Sequence, residues 1–171
     1  VLAAPRAVAS TFLPVTLSQL TDRSDVVVVA TPIASKCRWA QIGKHQQLVT
    51  DMTVEVHWTL RGPDATGSDL VVRTLGGMAD GLAHLVYGEA RLTVGQTSLM
   101  FLKRGRDGEL HVFGMAQGHY PVVVDEVGEW RVETSPAFEG VMQADQSATA
   151  QLAGRRLTDV SWLVQGAQVQ P

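Results

Sequence analysis

A single cysteine, Cys37, stands among the 171 residues. One thiol cannot close an internal disulfide, so the fold has to rest on its apolar core. Cys37 reads as a small half-buried side chain: Lys36 and Arg38 fall on the opposite face of an extended strand and do not activate it. Aromatic residues are scarce, at 6%, too few for the stacking platforms of a single-strand nucleic-acid binder. Charge is sparse as well, and 14 Lys and Arg against 17 Asp and Glu leave a net charge of −3. Nothing draws the chain globally to phosphate backbones or anionic lipid. Long apolar runs are missing too. Val26-Val27-Val28-Val29-Ala30 and Leu99-Met100-Phe101-Leu102 have strand length, against roughly 20 residues for a membrane-spanning helix. The sequence therefore reads as neither nucleic-acid-binding nor transmembrane.

What is present is an apolar, turn-rich composition: 45% hydrophobic residues with 16 Gly and 7 Pro. That suits one globular domain of ordinary size. Residues 1–10 are rich in small side chains, and Ala7-Val8-Ala9 has the A-x-A form of a signal-peptidase site. They read as an export-signal remnant or a flexible segment, which makes the protein exported, periplasmic or extracellular. Residues 11–134 read as a β domain, and residues 135–171 as a linker followed by a C-terminal helix.

A short helix is expected around Leu17 and Leu20, capped by Thr16 or Ser18. Val26 to Val29 are too uniformly apolar for a one-sided sheet and predict a strand covered on both faces, with Pro32 marking a bend or an edge. Residues 38–47 read as a hairpin loop. The clearest pattern follows: Met52, Val54, Val56, Trp58 and Leu60 alternate with Asp51, Thr53, Glu55, His57 and Thr59, the period of a half-buried antiparallel strand. Trp58 is thereby expected in the core. Further strands are expected at residues 70–75, 97–103, 109–115, 120–124 and 129–132, with a tight turn at Asp107-Gly108. Leu157, Val160 and Val164 predict a helix packing on the sheet. The expected fold is mainly β: a small OB-like antiparallel β-barrel with a short N-terminal helix and a C-terminal helix.

Several segments together resemble a group of secreted bacterial proteins of uncharacterised function. They are Thr11-Phe12-Leu13-Pro14, Ser24-Asp25-Val26-Val27-Val28, Leu60-Arg61-Gly62, Leu75-Gly76-Gly77, Gly88-Glu89-Ala90, Gly95-Gln96 and Gly114-Met115-Ala116-Gln117-Gly118. More remotely, the order of an Asp25-Val26-Val27-Val28 strand, a long strand ending in Leu60-Arg61-Gly62, and then Gly95-Gln96 before Leu99-Met100-Phe101-Leu102 looks like the netrin-like and metalloproteinase-inhibitor-like form of the OB fold. Inhibitors of that form present an N-terminal cysteine to the target's zinc, and this chain has only Cys37, so their mechanism does not carry over. At Gln96 the group's pattern implies Glu.

No catalytic constellation emerges, and no cofactor fingerprint. The serines lack a nucleophile-elbow pattern, and Gly76-Gly77 with Asp80-Gly81 fits neither a phosphate loop nor a dinucleotide motif. Metal coordination has weak candidates in Glu55 and His57, two apart on one strand face. The strongest functional expectation is a secreted binding module with a protein partner. Its surface is the Gly-rich connection over residues 76–95, with Gly76, Gly77, Asp80, His84, Tyr87 and Glu89 as candidate binding residues. Two alternatives stand beside it. One is self-association, with residues 1–12 adding as a strand to a neighbouring copy; the other is metal-assisted hydrolysis at Glu55 and His57.

Overall fold

The computed structural model describes residues 13–138 and 146–166. The expectations for residues 1–12, export signal and strand donor alike, fall outside them. Thr16 starts the first helix because its hydroxyl accepts the Gln19 N–H while the Gln19 carboxamide accepts the Thr16 N–H, a reciprocal capping box. Helix α1 (Leu17–Arg23) buries Leu17 and Leu20. Strands β1 (Val26–Ile42) and β2 (His45–Arg61) follow, each of 17 residues. They meet at a two-residue turn, Gly43-Lys44, where Gly43 takes φ +60°. The expected loop at residues 38–47 is thus mostly ladder, with Arg38 opposite Val49 and Ile42 opposite His45.

The chain continues through β3 (Asp69–Leu75), the small hairpin β4 (Gly77–Ala79) and β5 (Leu82–His84), then β6 (Ser98–Arg104) and β7 (Leu110–Val112). A 3-10 turn, Met115–Gly118, leads into β8 (His119–Val124) and β9 (Trp130–Val132), before α2 (Ala148–Leu152) and α3 (Leu157–Gly166). Seven strands form one mixed sheet in the order β1-β2-β3-β7-β6-β8-β9, and an additional pairing of β1 with β6 partly closes it into a ring.

One joint departs from the antiparallel expectation: β3 and β7 run parallel, through Val72–Leu110 and Arg73–His111. Arithmetic requires it. Around a ring of five strands whose other four joints are antiparallel, direction alternates and an odd count leaves the last pair parallel. The single C-terminal helix expected is two. The chain breaks at Gly154 (φ +78°), where Gly154 N–H donates to Val132 O and Val132 N–H to Arg155 O, pinning the break to β9.

The apolar run in β1 is covered on both faces, as its composition demands. Val26, Val28 and Ala30 join Met52, Val54, Val56, Val72, Met100, Leu102 and Leu110 on the face shared by the ring strands. Val27 and Val29 face the other way, against Leu99, Phe101, Tyr120 and the helical residues Leu20, Leu152, Val160 and Val164.

Trp58 is not in this core. It is 47% exposed, because β2 bulges at His57: Val29 pairs with Trp58, but the next pair is Ala30 with Val56. The extra residue inverts the in-out alternation, a known effect of bulges.

Gln117, buried in the 3-10 turn, ties distant segments together. Its Oε1 accepts the Val15 N–H at 2.8 Å and its Nε2 donates to Leu13 O at 3.1 Å. Beside it, Ala116 N–H donates to Gly88 O at 2.9 Å. At Gln96 the carboxamide donates to Thr97 O and Val122 O, two bonds that a glutamate carboxylate could not donate.

Candidate functional site

The connection after β3 is where the sequence placed function, and it forms a cleft of about 370 Å³. β2 supplies Thr50 and Met52, β3 supplies Thr74 and Leu75, and the loop adds Gly76, Gly77, His84, Glu89 and Ala90. Its geometry starts with the two glycines. Gly76 N–H donates to Leu48 O, and Gly76 O accepts the Thr50 hydroxyl at 2.8 Å. With φ +90°, a methyl added at Gly76 would sit 2.5 Å from the His84 carbonyl oxygen. At Gly77 it would meet Cys37 Sγ and Thr50 Oγ1, each at 2.5 Å. The glycines thus let the β4–β5 hairpin fold tightly back over the long β1–β2 arm.

Gly76→Ala is expected to destabilise the protein by about 2–3 kcal/mol, because positive φ and a backbone clash add. Gly81 also has positive φ but no atom within 4 Å of an added methyl, so Gly81→Ala should cost only about 1 kcal/mol. Urea unfolding of the two variants measures the difference.

Glu89 is set by its neighbour. Ala90 is buried in the cluster on the ring face, which anchors the backbone and holds Glu89 at the cleft wall with only 9% of its surface exposed. Burial pushes its carboxyl up to about 7, an effect that the Leu75 backbone N–H only partly offsets. Among the described residues no cationic side chain pairs with it.

Of the six loop residues named from sequence, Gly76, Gly77, His84 and Glu89 line this one cleft. Asp80 and Tyr87 do not line it. Asp80 sits at the β4–β5 turn with φ +53° and accepts a hydrogen bond from Trp39 Nε1 at 3.1 Å, tying the hairpin tip to β1. Tyr87 is exposed.

The candidate metal pair fares differently. His57 occupies the bulge and its Nε2 lies 2.7 Å from Thr31 Oγ1, while Glu55 is exposed opposite Thr31 on β1. Among the described residues, no three His, Cys, Asp or Glu side chains are grouped to hold a metal ion.

A second, larger cleft of about 740 Å³ escaped the sequence reading. It lies between the end of β2, β9 and α3 and is walled by Trp58 and Trp130. Trp58 was misplaced by the unseen bulge, and Trp130 looked like an ordinary strand residue. In comparisons with known proteins, the chain matches no family model and no curated protein.

Proposed function

We propose that this chain is an exported binding module on an OB-like β-barrel, and that its Glu89 cleft takes a cationic group of a protein partner. The barrel reading draws on the five-strand ring order with its single parallel joint, which suits a partly open barrel. Export rests on Ala7-Val8-Ala9.

One observation carries the cleft assignment: a glutamate nine-tenths buried, lining a concave surface that Arg91 also lines, yet in no ion pair among the described residues. Burying a carboxylate without a partner is costly, and a ligand ammonium or guanidinium removes that cost by pairing with it. Binding rather than turnover is favoured because, among the described residues, no hydrogen bond couples Glu89 to His84 or Cys37. A nucleophile would need such a link to a base.

Titration calorimetry with short lysine- and arginine-containing peptides, against their neutral citrulline and norleucine counterparts, tests the proposal. Cationic peptides should bind about tenfold more tightly at pH 8, where Glu89 is ionised, than at pH 5.5, where it is protonated. Glu89→Gln should abolish that dependence. Equal affinity for cationic and neutral peptides, or an unchanged profile in Glu89→Gln, would contradict it.

A further inference from the structure

The cleft walled by Trp58 and Trp130 shares no lining residue with the Glu89 cleft, and we infer that it is a binding site for a neutral saccharide. Three features of its walls point to that chemistry.

The first wall is aromatic. Trp58 and Trp130 are 47% and 43% exposed, and their rings meet nearly at right angles, 74°, with centroids 5.9 Å apart. They form an indole corner on which an apolar C–H face can stack. Neither indole N–H donates to an acceptor within the described residues, so each is available to a ligand oxygen.

The opposite wall is polar in a regular way. Helix α3 turns Leu157, Val160 and Val164 into the core. Thr158, Ser161 and Gln165, at the same three- and four-residue spacing one position on, line the cleft. Ser161 Oγ donates to Leu157 O at 2.8 Å and keeps only its lone pairs for a ligand, so the Thr158 hydroxyl, the accepting Ser161 oxygen and the Gln165 carboxamide run along one helical stripe of the cleft.

The third feature is charge. Among the described residues the charged side chains lining the cleft are Glu129 and Arg156, paired through Arg156 Nε to Glu129 Oε2 at 2.6 Å, with Arg131 Nη2 also 3.7 Å from Glu129 Oε2. An anionic or cationic ligand finds no unpaired opposite charge here, which sets the cleft apart from that of Glu89. A ring with one apolar C–H face, an edge of hydroxyls and no charge matches both walls at once, and the volume admits more than one such ring. A proline-rich peptide would use the indoles but leave the α3 stripe unmatched.

The test follows the indole N–H signals of the full chain by NMR, in titrations with neutral trisaccharides of glucose, mannose and N-acetylglucosamine. A trisaccharide of glucuronic acid and a proline-rich decapeptide serve as comparison probes. The expected result is a saturable shift of the Trp58 and Trp130 indole signals, with Trp39 unmoved, for at least one neutral trisaccharide. Trp130→Ala should weaken that binding at least about tenfold and Gln165→Ala about threefold, while Glu89→Gln leaves it unchanged. Gln165 is exposed, so that variant keeps the fold even if Trp130→Ala does not. No saturable shift with any neutral trisaccharide at millimolar concentration, undiminished binding in both variants, or tighter binding of the decapeptide or the acidic sugar would overturn the inference.

Discussion

Replacing Arg73 by alanine is expected to destabilise the fold by about 3–5 kcal/mol at neutral pH. Arg73 is 4% exposed and forks onto Asp51, with Nε to Oδ1 at 2.7 Å and Nη2 to Oδ2 at 3.1 Å. Its Nη1 reaches Asp107 at 3.0 Å, and Asp51 also accepts from Arg38 at 2.9 Å. One guanidinium therefore links β1, β2 and β3 to the turn between β6 and β7, beside the short parallel joint that closes the ring. Only two residue pairs make that joint, so the ion cluster substitutes for missing ladder. Lysine would not replace it, because a point charge cannot satisfy two carboxylates bidentately.

The pH dependence separates this account from a loss of packing. Burial pushes the Asp51 carboxyl up, but hydrogen bonds and charge from Arg73 and Arg38 outweigh it and hold the group below its ordinary range. At Asp107 burial is outweighed in the same way, by the His111 ring, the Glu109 N–H and Arg73. A depressed carboxyl contributes stability above its unfolded pKa of about 3.9 and loses it as the pH falls through the lower folded value. Without Arg73 the stranded carboxylates are relieved by protonation. The gap between Arg73→Ala and the parent should therefore narrow as the pH drops below about 4. A gap independent of pH in urea unfolding would count against the cluster.

The second large effect is at Glu89, and it has the opposite sign. Its carboxyl is raised from 4.5 to about 7, so its contribution is fully present below 4.5 and is lost as the pH rises through 7. His119 behaves inversely: burial lowers it from 6.5 to about 4, between Ser98 and Ser135 hydroxyls, each 3.0 Å from a ring nitrogen. Its contribution is present above 6.5 and is lost as the pH falls towards 4.

Each shift corresponds to about 3 kcal/mol. The parent protein should thus show nearly level stability from about pH 4.5 to 6.5, where the two slopes cancel. It should then lose stability as Glu89 ionises. Glu89→Gln removes one slope. It should be more stable than the parent by up to about 3 kcal/mol at pH 8, differ little at pH 4.5, and rise steadily in stability from there to about pH 6.5, where His119 becomes neutral in the unfolded chain as well. Chemical unfolding across pH 4.5 to 8 checks both curves. A variant destabilised at pH 8 would mean that the ionised carboxylate already has a partner in the free protein.

Local patterning announced much of the fold. The two-faced burial of Val26 to Val29 and the inward set Met52, Val54 and Val56 follow from composition and period, and the glycines after β3 marked a tight connection. The misplacement of Trp58 shows where such reasoning stops. Alternation holds only while the register does, and nothing in the residues around His57 signals a bulge. The parallel joint of β3 and β7 is equally silent, because it comes from closing an odd ring and from Arg73 meeting Asp107 across 34 positions. In the candidate site, Gly76, Gly77, His84 and Glu89 were legible as one loop. The separation of Asp80 from them depends on how the β4–β5 hairpin leans on Trp39, a tertiary contact. The burial of Glu89 was not legible at all, since it is imposed by Ala90 packing one residue further on.

The most direct measurement is a carbon-detected NMR titration of the Glu89 carboxyl in the full chain, alone and saturated with a lysine-containing peptide. A buried carboxyl in no ion pair should titrate at about 7 and fall below its ordinary range when the ammonium seats beside it. A Glu89 carboxyl that titrates at its ordinary value in the free protein, or one that the bound peptide leaves unmoved, would contradict the assignment of this cleft.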